Sequence, residues 1–175
     1  NSCHIHASLF RDGEPAFRDD PVLFDRFLAG MIACFEELAI FLAPTVNSYK
    51  RYAAGSWAPT TLAWGHGNRT CGFRIVGHGA SKRVETRIPG GDVNPYLAFA
   101  AMIPPALEGN AYESDAKRFP STMREAIAAL EEGTMARGTF GDQVVDHYLN
   151  YARTEQSLFD KFVTDWERVR YFERG

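Results

Sequence analysis

Residues 68–89 read NRTCGFRIVGHGASKRVETRIP, and the rest of the chain is organised around this stretch. Apolar and β-branched residues mark two short strands, at 73–76 and 84–88, and the glycines between them mark a loop. Because side chains alternate along a strand, the second strand should present one charged face and one apolar face. Val84 and Ile88 on the apolar face can then pack on a core.

The charged face has two interpretations. Arg83, Glu85 and Arg87 could form an ion-pair ladder on a solvated sheet surface, which would contribute little to stability. Together with Arg69 and Arg74 they could instead form an anion site, because the planar fork of arginine matches the oxygens of phosphate and carboxylate. A single glutamate among arginines would then be a metal ligand, or an orienting partner where phosphates bind. This stretch alone leaves both interpretations open.

Composition sets the broad class of protein. A chain of 175 residues is long enough for one domain with a core, and 45% hydrophobic residues are ordinary for a soluble protein. A net charge of −3 gives no reason to expect nucleic acid or a membrane as partner. The three cysteines lack metal-ligand or redox spacing, which favours a reducing, cytoplasmic setting. The first residue is Asn1, and no signal sequence follows, which predicts a piece of a longer protein.

Residues 3–10, CHIHASLF, alternate as a strand does, so His4, His6 and Ser8 would share one face. An isolated H-x-H is more commonly a pair of half-exposed histidines with structural hydrogen bonds. The functional interpretation is one metal ligand next to a group that hydrogen-bonds a substrate or nucleotide.

Hydrophobic periodicity predicts helices at 21–42, 94–107 and 122–132 and one or two more within 141–169. A further strand is expected at Thr60–Trp64, and Pro104 and Pro105 should kink or end their helix. Asn94 and Ser121 are the expected N-caps. The packed positions expected in the last helices are Val144, Val145, Tyr148, Leu149, Leu158, Phe159, Phe162 and Trp166.

These elements predict an α+β fold, since strands and loops carry the polar clusters and helices form the scaffold. We expect an antiparallel sheet that carries the site residues, backed by helices and followed by a helical C-terminal portion. Residues 44–59 are interpreted as a loop with a basic pair, Lys50 and Arg51, and a tryptophan, Trp57. This loop is either a lid or binding loop, or a segment whose tryptophan is buried as a packing anchor.

Five motifs occur in order along the chain: CHIHASL, NSYKR followed by G-x-x-A-P, NRT followed by Arg74, R-x-E-x-R-x-P, and NPYLA. Together they resemble the C-terminal half of the catalytic domain of the glutamine synthetase family, from residue 3 to about residue 109. The helical tail resembles the family more loosely. The whole chain, 1–175, is therefore interpreted as the C-terminal part of such a catalytic domain, without the N-terminal domain and the first half of the catalytic domain.

The resemblance implies a role for each motif residue. His4 and Glu85 match ligands of a divalent metal, Mg²⁺ or Mn²⁺. The implied substrate-binding residues are Arg51, Arg87 and Trp57. The implied nucleotide-binding residues are His6, Ser8, Arg69, Arg74 and Arg83. Arg69 and Arg87 are the implied catalytic residues.

The resemblance also implies a reaction. In this family the γ-carboxylate of glutamate attacks the γ-phosphate of ATP, and an amine then displaces phosphate from the acyl phosphate. Such a transfer depends on charge neutralisation and positioning. The family forms homo-oligomers and takes further metal ligands from the absent part. We therefore expect this chain alone to be weakly active or inactive, and its uncovered faces to favour association.

One residue departs from the ammonia-using members, whose loop reads G-Y-E-A-P. Here the loop reads GSWAP, and Trp57 stands in place of the glutamate. A tryptophan cannot take a proton from ammonium, although its face can bind a cation. The expected acceptor is therefore an organic amine, such as a polyamine or an alkyl or aryl amine, as in the γ-glutamylpolyamine synthetase-like branch.

Three other interpretations remain at this stage. The chain could belong to a non-catalytic protein of the same fold that senses a nucleotide or an amine. It could be a guanidino kinase, which also moves the γ-phosphate of ATP. It could be a structural domain whose polar rows are surface ladders. Retention of His4, Glu85 and the arginines argues against the non-catalytic protein, because a fold-only role gives no reason to keep buried charge together.

Overall fold

The computed structural model describes residues 1–108 and 117–174. Strands form a four-stranded sheet and a small hairpin, and the expected α+β class is confirmed. The strands are β1 Ile5–Ala7, β2 Phe10–Arg11, β3 Glu14–Pro15, β4 Trp64–His66, β5 Phe73–Val76 and β6 Arg83–Thr86. The helices are α1 Ala16–Asp19, α2 Pro21–Cys34, α3 Ala39–Leu42, α4 Val46–Tyr49, α5 Pro95–Glu108, α6 Met123–Glu132, α7 Met135–Phe140, α8 Asp142–Lys161 and α9 Asp165–Tyr171.

The sheet has the strand order β1-β6-β5-β4. Its first three strands are antiparallel as expected, but β4 runs parallel to β5, so the sheet is mixed. The expected strand at Thr60–Trp64 is also displaced, since β4 begins only at Trp64. The residues before β4 pair elsewhere: Leu62 N–H donates to Lys117 O, and Phe119 N–H donates to Thr60 O. A non-local partner therefore decided where this strand begins.

The apolar face of the sheet joins the core that the helices complete. Val84, Thr86 and Ile88 are all buried, and the rings of Phe73 and Phe35 lie 5.0 Å apart, edge to face. Helix α2 packs along α5, so the two longest helices of the first 108 residues lie together. This layer supports the sheet from one side and leaves its polar face to form the site.

The helix expected at 21–42 is interrupted. Helix α2 ends at Cys34, and α3 begins at Ala39. Between them Phe35 and Leu38 are fully buried, and the Glu37 carboxylate accepts a hydrogen bond from the N–H of Ala136 at 2.5 Å. The break lets Phe35 and Leu38 reach the core and lets the Glu37 carboxylate bind the start of α7. Hydrophobic periodicity cannot indicate the contact of Glu37, because its partner is 99 residues away.

Two helix ends differ from the sequence expectations. Helix α5 continues through Pro104 and Pro105 to residue 108, with Ala106 buried, so the prolines do not end the helix. The cap of α6 is Thr122, whose side chain accepts the N–H of Glu125, and not Ser121.

At the start of α5, Asn94 behaves as expected, because its side chain accepts the N–H of Tyr96 at 3.0 Å. Helix α4 lies within the expected loop at 44–59, and α7 was not expected.

The two helices expected within 141–169 are α8 and α9. Val145 and Leu149 in the first half of α8 are buried as predicted. The predicted packing of the later positions is wrong, since Leu158, Phe159, Phe162 and Trp166 are all exposed. In the part of the chain that the structure describes, no helix is both long and apolar enough to cross a membrane.

Candidate functional site

The polar face of the sheet carries a row of three side chains across three strands. His6 in β1 lies opposite Glu85 in β6, and Glu85 lies opposite Arg74 in β5. Directly opposed residues of antiparallel strands share a face and lie close together. The sheet register therefore brings a histidine, a carboxylate and an arginine from distant parts of the sequence into one line.

Glu85 is the centre of a cluster of charged and polar groups. Arg74 Nη1 donates to Glu85 Oε2 at 2.9 Å, and Arg87 Nη1 donates to Oε1 at 3.1 Å. His4 Nδ1 lies 3.0 Å from the same Oε1. Glu85 is only 3% exposed and Arg87 only 7%, so neither residue belongs to a solvated ladder. The surface-ladder interpretation is therefore wrong for this part of the charged row.

The electrostatics of the cluster favour an ionised Glu85 next to a neutral His4. Burial raises the pKa of Glu85, but the Arg74 hydrogen bond and the charge of Arg87 outweigh it, so that this pKa lies below its ordinary value. Burial is the largest cause that lowers the pKa of His4, and the positive charge of Arg87 lowers it further. An ionised carboxylate and a neutral imidazole are the forms that ligate metal ions.

The two arginines of the cluster keep unused hydrogen-bonding capacity. The Nε atoms of Arg74 and Arg87 are buried, and both lack a hydrogen-bond partner in this structure. A buried donor without an acceptor costs about 1–3 kcal/mol. Arginines arranged in this way are typical of sites that bind oxyanions.

A second polar pair lies beside the cluster. Arg83 Nε donates to His6 Nδ1 at 3.2 Å, and Arg83 Nη1 donates to the carbonyl of Ser81 at 3.0 Å. The turn before β6 requires Gly77, whose φ is +77°, because a Cβ there would lie 2.3 Å from Ser81 O. Ser8 follows β1 and is exposed. The residues expected to bind the nucleotide therefore do not form one group. Arg83 and His6 form this pair, Arg74 contacts Glu85, and Ser8 and Arg69 lie outside both sets of contacts.

Arg51 supports the segment that follows β6. Its Nη1 donates to Ile88 O at 2.6 Å, and its Nη2 donates to Arg87 O at 2.7 Å. Tyr52 OH also donates to Ile88 O, at 2.7 Å, and burial raises the pKa of this tyrosine to about 12. Arg51 therefore lies next to Arg87, the other arginine expected to bind glutamate, and it holds the main chain there.

The loop with Trp57 is open to solvent. The Trp57 side chain is 83% exposed, which excludes its interpretation as a packing anchor within the described residues. A cavity of about 160 Å³ lies beside it, and Ser56, Trp57, Arg69 and Thr70 contribute to its lining. This geometry is consistent with the interpretation of residues 44–59 as a binding loop. It also places Arg69 next to Trp57.

His4 and Glu85 fit part of a metal-binding shell. Their ligating atoms converge at 3.0 Å from two segments far apart in sequence. One imidazole nitrogen beside one carboxylate oxygen suits Mn²⁺ and is unusual for Mg²⁺, because Mg²⁺ prefers oxygen ligands. Within residues 1–108 and 117–174, no group of three or more His, Cys, Asp or Glu side chains could hold a metal ion. The pair is therefore a partial ligand set that needs further donors.

The sequence profile of the glutamine synthetase catalytic domain matches residues 1–171. The chain belongs to the glutamine synthetase family. This membership agrees with the five motifs, and it favours a ligase over the guanidino kinase considered above.

Two glutamate–amine ligases and a glutamine synthetase are among the relatives similar to this chain. The γ-glutamylethanolamide synthetase GlnA4 of Streptomyces coelicolor is 49% identical over 99% of the chain. The glutamate–isopropylamine ligase of a Pseudomonas species is 36% identical over 99% of the chain. The glutamine synthetase of Thermus thermophilus is 33% identical over 96% of it. The chain spans 41%, 43% and 44% of the lengths of these relatives, which is less than half in each case.

Solved structures of GmaS have the same fold. GmaS without ligand superimposes with a TM-score of 0.83 at 30% identity, covering 99% of this chain and 45% of that one. A complex of GmaS with ADP gives a TM-score of 0.81 at 28% identity, covering 99% and 46% of the two chains.

Several residues that contact the site were not identified from the sequence. Ser2 Oγ lies 3.1 Å from His4 Nε2, and Tyr52 OH holds the chain after β6. Asp92 accepts hydrogen bonds from the hydroxyls of Thr45 and Ser48, at the start of α4. No periodicity or motif indicated these contacts, although Ser2 is only two residues before His4. The roles assigned to the ten residues expected in the site stay predictions.

Proposed function

We propose that the protein containing this chain is an ATP-dependent ligase that joins the γ-carboxylate of glutamate to an organic amine through γ-glutamyl phosphate. The observation that carries the proposal is the buried Glu85, which contacts Arg74, Arg87 and His4 within 3.1 Å. A protein that only keeps the fold has no reason to bury so many charged groups together. An enzyme that transfers a phosphoryl group needs such charges to neutralise and position the phosphate. Membership of the glutamine synthetase family supports this assignment.

The arginines would stabilise the phosphoryl group during its transfer. Arg69 and Arg74 are the proposed contacts to the phosphate, and His6, Ser8 and Arg83 the proposed contacts to the rest of the nucleotide. Fixed positive groups act most strongly where negative charge develops in the transition state. The similarity to GmaS, which has been solved with ADP, supports the use of a nucleotide.

His4 and Glu85 would hold a divalent cation, Mg²⁺ or Mn²⁺, together with ligands from outside this chain. When bound, such a cation neutralises phosphate oxygens and orients them for in-line transfer. Glu85 is kept ionised and His4 neutral by their surroundings, so both are ready to ligate.

Glutamate would bind near the end of β6. Arg87 is the proposed partner of its carboxylate, and Arg51 fixes the main chain at Arg87 and Ile88 while keeping further N–H groups available. Positioning of this kind brings the γ-carboxylate of glutamate to the phosphate without covalent help from the protein. We propose a homo-oligomer as the working form of the full-length protein.

The amine would enter beside Trp57. An indole provides no base for ammonium, but it provides an apolar face and a cation–π surface for an organic amine. One relative is named for a γ-glutamylethanolamide product and another for the substrate isopropylamine, and the cavity beside Trp57 holds only about 160 Å³. A small alkyl amine fits these observations, and a polyamine is the other organic amine to be tested.

The test is phosphate release by the full-length protein with ATP, Mg²⁺ and glutamate, comparing ammonium with ethanolamine, isopropylamine and putrescine. We expect kcat/KM for one organic amine to exceed that for ammonium at least about tenfold, or about 1.4 kcal/mol of transition-state stabilisation. Trp57→Glu should shift the preference towards ammonium, whereas the control Trp57→Phe keeps the aromatic face and should retain the preference for the organic amine.

Equal rates with ammonium and all amines would contradict the assigned role of Trp57. Absence of turnover with every amine, while ATP still binds, would indicate the non-catalytic alternative.

A further inference from the structure

His4 makes contacts through both nitrogens of its ring. Nδ1 lies 3.0 Å from Glu85 Oε1 and 3.5 Å from Arg87 Nη1. Nε2, on the other edge of the ring, lies 3.1 Å from Ser2 Oγ. The site side of the ring is therefore Nδ1, and a serine hydroxyl occupies the opposite side.

Ser2 is held in place by its own main chain. It forms an antiparallel bridge with Gly90, and the next residue, Cys3, donates its N–H to Pro89 O at 2.9 Å. The segment after β6 thus fixes the stretch before β1 that carries both Ser2 and His4. The Ser2 hydroxyl is presented from a paired backbone, although the residue itself is exposed.

The neighbours of Nδ1 pull the imidazole towards different tautomers. The Glu85 carboxylate favours a proton on Nδ1, whereas the Arg87 guanidinium can only donate and favours a lone pair there. His4 could ligate a cation through Nδ1 only with a lone pair on that atom, and the proton would then sit on Nε2. The hydroxyl of Ser2 is the group positioned to accept this proton in a hydrogen bond.

We propose that Ser2 is a positioning residue for His4: its hydroxyl accepts the Nε2–H and thereby orients the ring and favours the tautomer that binds metal through Nδ1. The inference rests on the proposed role of His4 as a metal ligand. Partners on the outer nitrogen of a metal-bound histidine commonly change metal affinity by about 10–100-fold. The His4 side chain is 32% exposed, so without Ser2 its outer edge would face solvent and its orientation would be less defined.

The experiment measures Mn²⁺ binding to the full-length protein by electron paramagnetic resonance, without nucleotide or substrates. His4→Ala identifies which binding event belongs to this site. Ser2→Ala should weaken that event by about 10–100-fold and leave other Mn²⁺ sites unchanged. Ser2→Thr keeps the hydroxyl and should bind within about threefold of the wild type, and Ser157→Ala, an exposed serine on α8, is the matched control with no expected change.

Thermal unfolding of each variant in the absence of metal separates metal binding from folding. Ser2→Ala should unfold at the wild-type temperature, because an exposed hydroxyl contributes little to stability. Unchanged Mn²⁺ affinity in Ser2→Ala, with loss of the site in His4→Ala, would overturn the role of Ser2 alone. Unchanged affinity in His4→Ala would instead overturn the proposed metal site, so the two failures are distinguishable.

Discussion

The sheet and the C-terminal helices depart from the usual distribution of residues in opposite ways. The polar face of the sheet buries charge, with Glu85 3% and Arg87 7% exposed. The end of α8 and the helix α9 expose apolar side chains, among them Phe162 and Trp166. Charged groups are rarely buried unless they are paired, and contiguous exposed apolar residues are uncommon on isolated proteins.

The difference shows how the two regions relate to what lies outside this chain. In the sheet the buried charges of Glu85 and Arg87 are paired with each other. The remaining hydrogen-bonding capacity lies in donors such as Arg87 Nε, which has no acceptor in this structure. That region satisfies its buried charges internally, and its unpaired donors are the ones we propose to bind small charged ligands. The helical end is not covered by any described part of the chain. It contributes little to the fold of these residues, so substitutions in the two regions should have very different consequences.

The largest expected effect comes from removing the centre of the buried charge cluster. Glu85→Ala leaves Arg74 and Arg87 without their carboxylate partner and should lower the free energy of unfolding by about 3–5 kcal/mol. Glu131→Ala is the matched control, because Glu131 pairs with Arg153 on the surface and should cost at most about 1 kcal/mol. Urea denaturation of the 175-residue chain measures both. Similar losses in the two variants would remove the distinction between buried and surface charge.

The next prediction compares two leucines on one helix. Leu149 and Leu158 both lie on α8, but Leu149 is 3% exposed and Leu158 is 59% exposed. Leu149→Ala should cost about 2–5 kcal/mol, because it leaves a cavity in the core. Leu158→Ala should change the free energy of unfolding by no more than about 0.5 kcal/mol. The same denaturation experiment applies, and a large cost at Leu158 would mean that the helical end is covered in solution, for example by a second copy.

The smallest effect concerns an exposed carboxylate in the helical half. The N–H of Ser121 donates to Glu125 Oε2 at 2.6 Å and holds the pKa of this carboxyl below its usual 4.5. A group whose folded pKa is lowered contributes stability above its unfolded pKa and loses it as the pH falls through the folded pKa.

Stability should therefore decline below about pH 4.5 partly through Glu125. Glu125→Gln should remove that part of the decline in a series of denaturation curves from pH 6 to pH 3. A variant whose pH dependence matches the wild type would show that the hydrogen bonds at the start of α6 do not depend on the charge.

Local features of the fold were predictable where the deciding atoms are close in sequence. The alternation around Glu85 predicted β6, and Asn94 predicted the start of α5, because both depend on neighbouring residues. The break after Cys34 was not predictable, since it depends on a contact between Glu37 and Ala136. The expected strand at Thr60–Trp64 was displaced for a similar reason, since Thr60 and Leu62 pair with residues 117–119 instead of with the sheet.

The candidate site divides in the same way. Motifs identified His4, Glu85 and the arginines as chemically important residues, but left open whether the charged row is a solvated ladder. Burial decided that question, and the contact between Ser2 and His4 became visible only once the segment after β6 paired with Ser2.

The sequence by itself determined the family, the residue types of the site, and local elements such as β6 and the start of α5. These follow from motif order and from periodicity and capping, which act over a few residues. Only the tertiary structure decided which charges are buried, which apolar residues stay exposed and which hydroxyl reaches His4. The physical reason is that burial and side-chain contacts depend on segments far apart in the chain, whose positions no local pattern contains.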